Sequence, residues 1–177
     1  MFGNRRRHTE FTAYAQAAQQ RLFRQGYLLT GSRETAQDLV QSTLTKMYVA
    51  WPRIDNPPAY AYRTMMRGFL ELRRRSDRER ELHDLPDGAP AMRDPDQVLT
   101  VRAALAELPP RMRAVVVLRY WEDLSVQQTA TALGCTTGTV KSTASRGLAQ
   151  LRELLGEAFE ERVPSPSATA IHHEEKP

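Results

Sequence analysis

Apolar residues recur at spacings of three and four along most of the chain, and nowhere does an apolar–polar alternation run long enough to form a strand. The pattern predicts an all-α protein. Phe11, Ala15, Ala18 and Leu22 mark one face of a first helix that should leave through a left-handed residue near Gly31, after which Ser32 can cap the next. That second helix carries Ala36, Val40, Leu44, Met47 and Trp51 on one stripe, with Glu34 in its first turn and Pro52 beyond its end. Asn56 followed by Pro57 announces a third start, and Ala59 to about Arg80 reads as one long basic helix or two short ones.

Periodicity stops in the stretch "ELHDLPDGAPAMRDPD", residues 81–96, and resumes at Val98. Val98 to Leu108 form a short helix, "LPPR" supplies a turn with proline at the following helix start, and Met112, Val115, Val116 and Leu118 provide core material. Beyond Gly156 the chain is polar and aperiodic, which predicts a disordered tail over 157–177. The adjacent His172 and His173 in that tail have no further ligands near them. The expected organisation is therefore two small helical domains, 1–80 and 97–156, joined by a flexible acidic linker.

"LSVQQTATALGCTTGTVKSTASRGLAQLR" has the layout of a helix-turn-helix. Ser125 with Gln128 three residues on forms a capping box, Val126, Ala130 and Leu133 share one face, Gly134 permits the turn, and Thr136 can cap the second helix. Val140, Ala144, Leu148, Leu151 and Leu155 make its inward stripe. Thr137, Gly138, Lys141, Ser142, Ser145 and Arg146 make the other face, which is small, hydroxylated and basic. That composition suits a helix that must approach base edges in the major groove, although an ordinary helical corner shares the spacing. Cys135 sits at the turn, where a small apolar group packs.

Charge sharpens the picture. The chain of 177 residues has 25 Lys and Arg against 21 Asp and Glu, a mild excess that favours an anionic partner. Residues 1–80 hold 15 basic and 7 acidic groups, a local net of +8, whereas residues 81–96 carry five acids and one arginine, a net of −4. Arg73, Arg74 and Arg75 are unbroken and are candidates for phosphate contact; Arg78 and Arg80 alternate with acids and read as solvent-facing. One cysteine excludes an internal disulfide and a thiolate metal site and fits a reducing cytoplasm. The longest apolar run, "AVVVL", is far too short for membrane insertion, and the amino terminus lacks a signal-peptide core. No nucleophile with a base, carboxylate pair or metal-ligand spacing emerges, so neither catalysis, a metal nor a cofactor is expected.

"LAELPPRMRAVVVLRYWEDLSVQQTATALGCTTGTVKSTASRGLAQLRE" closely resembles region four of extracytoplasmic-function (ECF) sigma factors of bacterial RNA polymerase, in its "LPPR", its "LRYWEDLS" bridge and its "GTVKS" recognition helix. "FTAYAQAAQQRLFRQGYLLTGSRETAQDLVQSTLTKMYVAW" and "PPAYAYRTMMRGFLELRRR" are similar to region two of the same sigma-70 family, in the expected order, and within it the chain looks most like the actinobacterial SigE family. The resemblance implies a subunit that binds core RNA polymerase and directs promoter-specific initiation. Region two would capture the melted minus-ten strand and region four would read the minus-thirty-five duplex.

Carried onto this chain, "DLVQSTLTKMY" matches the polymerase-binding helix, which makes Asp38, Gln41 and Leu44 docking candidates; Leu44 also lies on the core stripe. Tyr60 and Tyr62 offer stacking faces to promoter bases and Arg63 charge to the strand. Arg67 stands where many relatives carry an asparagine that helps form the base pocket. Thr143 stands where an arginine is frequent, so one DNA contact is expected to be missing there. The acidic linker has a family counterpart that threads toward the polymerase cleft; a solvated tether is the simpler reading. An anti-sigma factor is a further partner the family implies. The competing readings are a stand-alone helix-turn-helix regulator whose first half dimerises or senses, and a helical adaptor acting only through protein contacts.

Overall fold

The first helix ends where its sequence says it must. In the computed structural model, which describes residues 2–82 and 101–156, with side chains described for 7–81 and 101–156, α1 (Phe2–Thr30) exits through Gly31 at φ +74°. Ser32 Oγ then accepts from the Thr35 amide at 3.3 Å and starts α2 (Arg33–Ala50). α2 stops one residue short of the expected stripe, because Pro52 has no N–H to donate, and the chain tightens into a 3-10 turn over Trp51–Arg53. Trp51 is thereby placed against Phe11 and Tyr14 of α1, with ring centroids 5.3 Å apart in both pairs.

Asn56 Oδ1 accepts from the Ala59 amide at 3.0 Å and opens α3 (Pro57–Leu82), a single helix rather than two. Its buried positions, Ala61, Tyr62, Met65, Met66 and Phe69, keep the three-and-four spacing and then cease; Leu72 is exposed, as are Arg74, Arg75, Arg78 and Arg80, while Arg73 is half-buried. Most of the acidic linker, the tail, His172 and His173 lie outside the described residues.

The second unit begins with α4 (Val101–Glu107). Pro109 and Pro110 then start α5 (Pro110–Val116), which runs on into a π-helical turn over Val117–Trp121. The wider turn shows in the Glu122 amide, which donates to the Val117 carbonyl five residues back at 3.1 Å. Asp123, at φ +51°, turns the chain into α6 (Val126–Leu133), and α7 (Thr137–Leu155) follows.

α5 and α7 approach closely because position 147 is glycine. A Cβ there would lie 2.6 Å from Val116 Cγ2 and 3.0 Å from Met112 Cγ. Alanine would gain about 1 kcal/mol of helix propensity, but overpacking a filled core costs about 1–3 kcal/mol. Gly147→Ala is therefore expected to lower Tm by a few degrees in a thermal melt despite its better propensity.

Among the described residues every regular element is helical, with α1–α3 before the undescribed stretch and α4–α7 after it. The two groups do not stand apart. Leu22, Leu29 and Phe69 of the first belong to one buried cluster with Leu105, Leu108, Val117 and Leu118 of the second. The join is also polar. Arg113, only 3% exposed, donates from Nη1 to the Leu29 carbonyl at 2.6 Å and from Nη2 to the Ala106 and Leu108 carbonyls at 2.6 and 3.2 Å. Arg102 Nη1 donates to the Gly31 carbonyl at 3.1 Å. Both arginines thus satisfy carbonyls at the end of α1 that its own helix leaves unpaired.

Candidate nucleic-acid interface

The helix-turn-helix is assembled by its caps. The Gln128 amide donates to Ser125 Oγ at 3.1 Å and the Ser125 amide donates to Gln128 Oε1 at 2.8 Å, the reciprocal box its sequence predicts. Gly134 ends α6 at φ +63°, a conformation that strains residues with a β-carbon, and the Thr139 amide donates to Thr136 Oγ1 at 3.2 Å to start α7. Cys135 is half-buried against Val115, Ala130, Val140 and Ala144, in the packing role its position suggests.

With α7 fixed in this way, Thr137, Gly138, Lys141, Ser142, Ser145 and Arg146 are all exposed on one arc. Among the described residues Lys141 and Arg146 have no carboxylate partner, and Arg146 Nε donates to the Ser142 carbonyl at 3.4 Å. The face presents two uncompensated cations among short side chains. Thr143 is not on it. That residue is 8% exposed, on the inward side with Val140 and Gly147, so it is a packed position and not a gap in the outward face.

On α3 the candidates divide. Arg63 and Arg67 are exposed, Tyr60 is half-buried, and the Arg63 guanidinium lies 5.4 Å from the Tyr60 ring centroid. Arg74 is open to solvent. Arg75 is engaged with Glu71 at 2.6 Å, an exposed pair within the helix worth only a few tenths of a kcal/mol. Tyr62 is buried, and its hydroxyl donates to Glu122 Oε2 of the second unit at 3.0 Å. In this arrangement it has no open ring face to offer a base.

Burial first, and then the neighbouring Glu122 carboxylate, pushes the Tyr62 phenol up to about 12 from its usual 10. The folded chain thus holds this proton more tightly than the unfolded one. The resulting stabilisation is fully present below pH 10 and is lost as pH rises through about 12. In a phenolate absorbance titration Tyr62 should ionise late, as should Tyr14, whose phenol burial also pushes up, and Glu122→Ala should move the Tyr62 step toward 10.

Asp38 and Gln41 are exposed on α2, on a surface separate from α7, whereas Leu44 is half-buried against the core. Gln41 borders a groove between α1 and α2 of about 590 Å³, with Gln16, Gln19, Gln37 and Arg33. Two residues that matter here, Glu122 and Arg113, were not singled out from the sequence, although Glu122 lies within the "LRYWEDLS" bridge. Among the described residues no cluster of metal-ligating side chains occurs, and no helix is long and apolar enough to cross a membrane.

Residues 6–79 match the family model for sigma-70 region 2, and residues 99–151 that for sigma-70, region 4. Over 154 residues the chain is 39% identical to the RNA polymerase sigma-E factor of Streptomyces coelicolor, covering 82% of this chain and 86% of that protein. The chain belongs to the sigma-70 family. This sigma factor is also 33% identical to the ECF RNA polymerase sigma factor SigE of Mycolicibacterium smegmatis, over 82% of its own length and 61% of that relative. Its fold matches the sigma factor RpoE of Bartonella quintana, solved in complex with the anti-sigma factor NepR, with a TM-score of 0.68 and 25% identity, covering 82% of this chain and 96% of that one. These likenesses make it an ECF-type sigma factor that directs promoter-specific initiation. They do not favour a stand-alone regulator, because region two occupies the half that a sensor or dimerisation domain would need.

Proposed function

We propose that this sigma factor divides promoter recognition between two surfaces and docks on core RNA polymerase through a third. The outer face of α7, with Thr137, Gly138, Lys141, Ser142, Ser145 and Arg146, reads the minus-thirty-five duplex in the major groove. The α3 surface, with Tyr60, Tyr62, Arg63 and Arg67, captures the melted minus-ten strand, and Arg73, Arg74 and Arg75 line the path of its phosphates. Arg67 replaces an amide by a cation in the base pocket and so alters which flipped base is preferred. Asp38 and Gln41, with Leu44 behind them, meet the polymerase. The observation that carries this reading is Lys141 and Arg146, exposed and without a carboxylate partner among the described residues, on a capped helix behind a region-two unit in the family's order.

Such a subunit works in the cytoplasm, where polymerase and promoter DNA are found, and an anti-sigma factor is the expected regulator. Reconstitution with core polymerase tests the assignment. Added protein should co-migrate with core enzyme and start transcripts at defined points on genomic fragments of its host. Failure to associate, together with absence of any specific start, overturns it.

A further inference from the structure

Seven glycines have described surroundings, and six of them have a reason inside the fold. Gly31, Gly134 and Gly156 stand at φ between +57° and +74°, where a β-carbon is strained. Gly26, Gly68 and Gly147 each face a packed neighbour: a β-carbon would meet Ala36 at 3.4 Å, Leu39 at 2.9 Å and Val116 at 2.6 Å respectively. Gly138 has neither reason. It is the second residue of α7, its φ lies outside the left-handed region, it is exposed, and a β-carbon there would meet nothing closer than Thr136 Oγ1 at 3.8 Å.

Glycine in such a position costs stability with no internal return, because it leaves the unfolded chain more conformations to lose than alanine would. The helix surface around it is also low. The hydroxyls of Thr136 and Thr139 lie 2.9 Å apart, and Ser142 Oγ donates to the Thr139 carbonyl at 3.2 Å, so these short side chains fold back onto α7. Lys141 follows three positions on, on the same face.

An α-helix with its side chains is about 10–12 Å across and the major groove about 12 Å wide, so the depth at which a helix seats depends on what stands at the point facing the groove floor. We infer that Gly138 is a specificity-determining residue that acts by having no side chain, letting the first turn of α7 seat deeply enough for Lys141 and its hydroxylated neighbours to reach base edges. The inference rests on the proposed role of α7 in reading the minus-thirty-five duplex. Hydrogen bonds to base edges need donor and acceptor about 2.7–3.2 Å apart, and a methyl group wedged between helix and groove exceeds that tolerance. Phosphate contacts tolerate the same displacement, because the long stems of Lys141 and Arg146 can follow the DNA backbone. Gly138 therefore governs the ratio of specific to non-specific binding rather than duplex binding as a whole.

The test uses the full chain and two labelled duplexes of equal length across a salt series, one the sequence most enriched from a randomised pool by the wild-type chain and the other of mixed sequence. Gly138→Ala should raise Tm by about 2 °C. It should bind the selected duplex about tenfold more weakly while mixed-sequence affinity and the salt slope stay unchanged. Gly138→Leu, with a longer side chain that cannot hydrogen-bond to a base, should lose more on the selected duplex and equally little on the other. A lower Tm for the alanine variant shows that the fold itself requires the glycine and overturns the inference. So does an undiminished preference for the selected duplex in both variants, or a parallel loss on both duplexes. Lys141→Ala with Arg146→Ala separates this outcome from the underlying reading. If the wild-type chain enriches no sequence, or if that pair changes neither affinity, α7 is not the reader. If the pair weakens binding while Gly138→Ala and Gly138→Leu keep the wild-type preference, the reader stands and the role of Gly138 fails.

Discussion

Lys141→Ala combined with Arg146→Ala should weaken binding to a minus-thirty-five duplex by between about tenfold and a hundredfold, and should flatten the salt dependence by about two units of logarithmic slope. The size follows from the surroundings of the two cations. Both are exposed on one arc of α7 and neither is neutralised by a carboxylate among the described residues, so each can displace a counterion from a phosphate. Arg75 offers a contrast, since Glu71 already occupies its guanidinium and its removal should cost much less. Association with core polymerase should be unaffected, because the proposed docking residues Asp38 and Gln41 lie on α2. Filter binding across a salt series reads the slope, and co-elution with core enzyme reads the docking. Parallel loss of both would mean that α7 is not the reader or that the variant is misfolded.

The largest effect on stability is expected at Arg113. Replacing it by methionine should cost about 3 kcal/mol in denaturant unfolding, because the carbonyls of Leu29, Ala106 and Leu108 lose a charged donor in a place water does not readily reach. Burial itself works against the arginine: it and the nearby Arg73 pull the guanidinium pKa down to about 10. The three hydrogen bonds must outweigh that desolvation for the native state to keep the charge inside. Arg113→Lys retains the charge but cannot fork toward separate acceptors, and should recover less than half of the loss. Equal stability of the methionine variant and the wild type would show that the bonds only balance the burial.

What could be read from the chain beforehand was whatever is decided within a few residues. The cap at Ser32, the start at Asn56 and the box of Ser125 and Gln128 each depend on a side chain and an amide three positions away, and the turn at Gly134 depends on a residue without a β-carbon at positive φ; all four are in place. The outward face of α7 was legible for the same reason, since the inward stripe of one helix fixes the other side. Hydropathy misled where a polar residue is buried: Gln25 lies inside, and Thr143, expected to leave a DNA contact missing, packs inward and is not on the outward face. Tyr62 was legible as an aromatic near the base pocket, but its bond to Glu122 spans 60 positions, and no local pattern announces it. The π-helical turn was equally silent, because a run as apolar as "AVVVL" fits any buried helix.

The acceptors that Arg113 chooses have a consequence for how this fold can drift over evolutionary time. Every one of them is a main-chain oxygen, and a carbonyl is present whatever side chain stands at positions 29, 106 or 108. Substitutions there leave the contact intact as long as the helix ends keep their course, so no compensating exchange is ever required. Coupled variation reports contacts between side chains that must change together. This contact, unlike the side-chain pair of Tyr62 and Glu122 across the same join, is therefore expected to appear in an alignment as an invariant arginine with no covarying partner, and methods that infer proximity from paired changes would miss it.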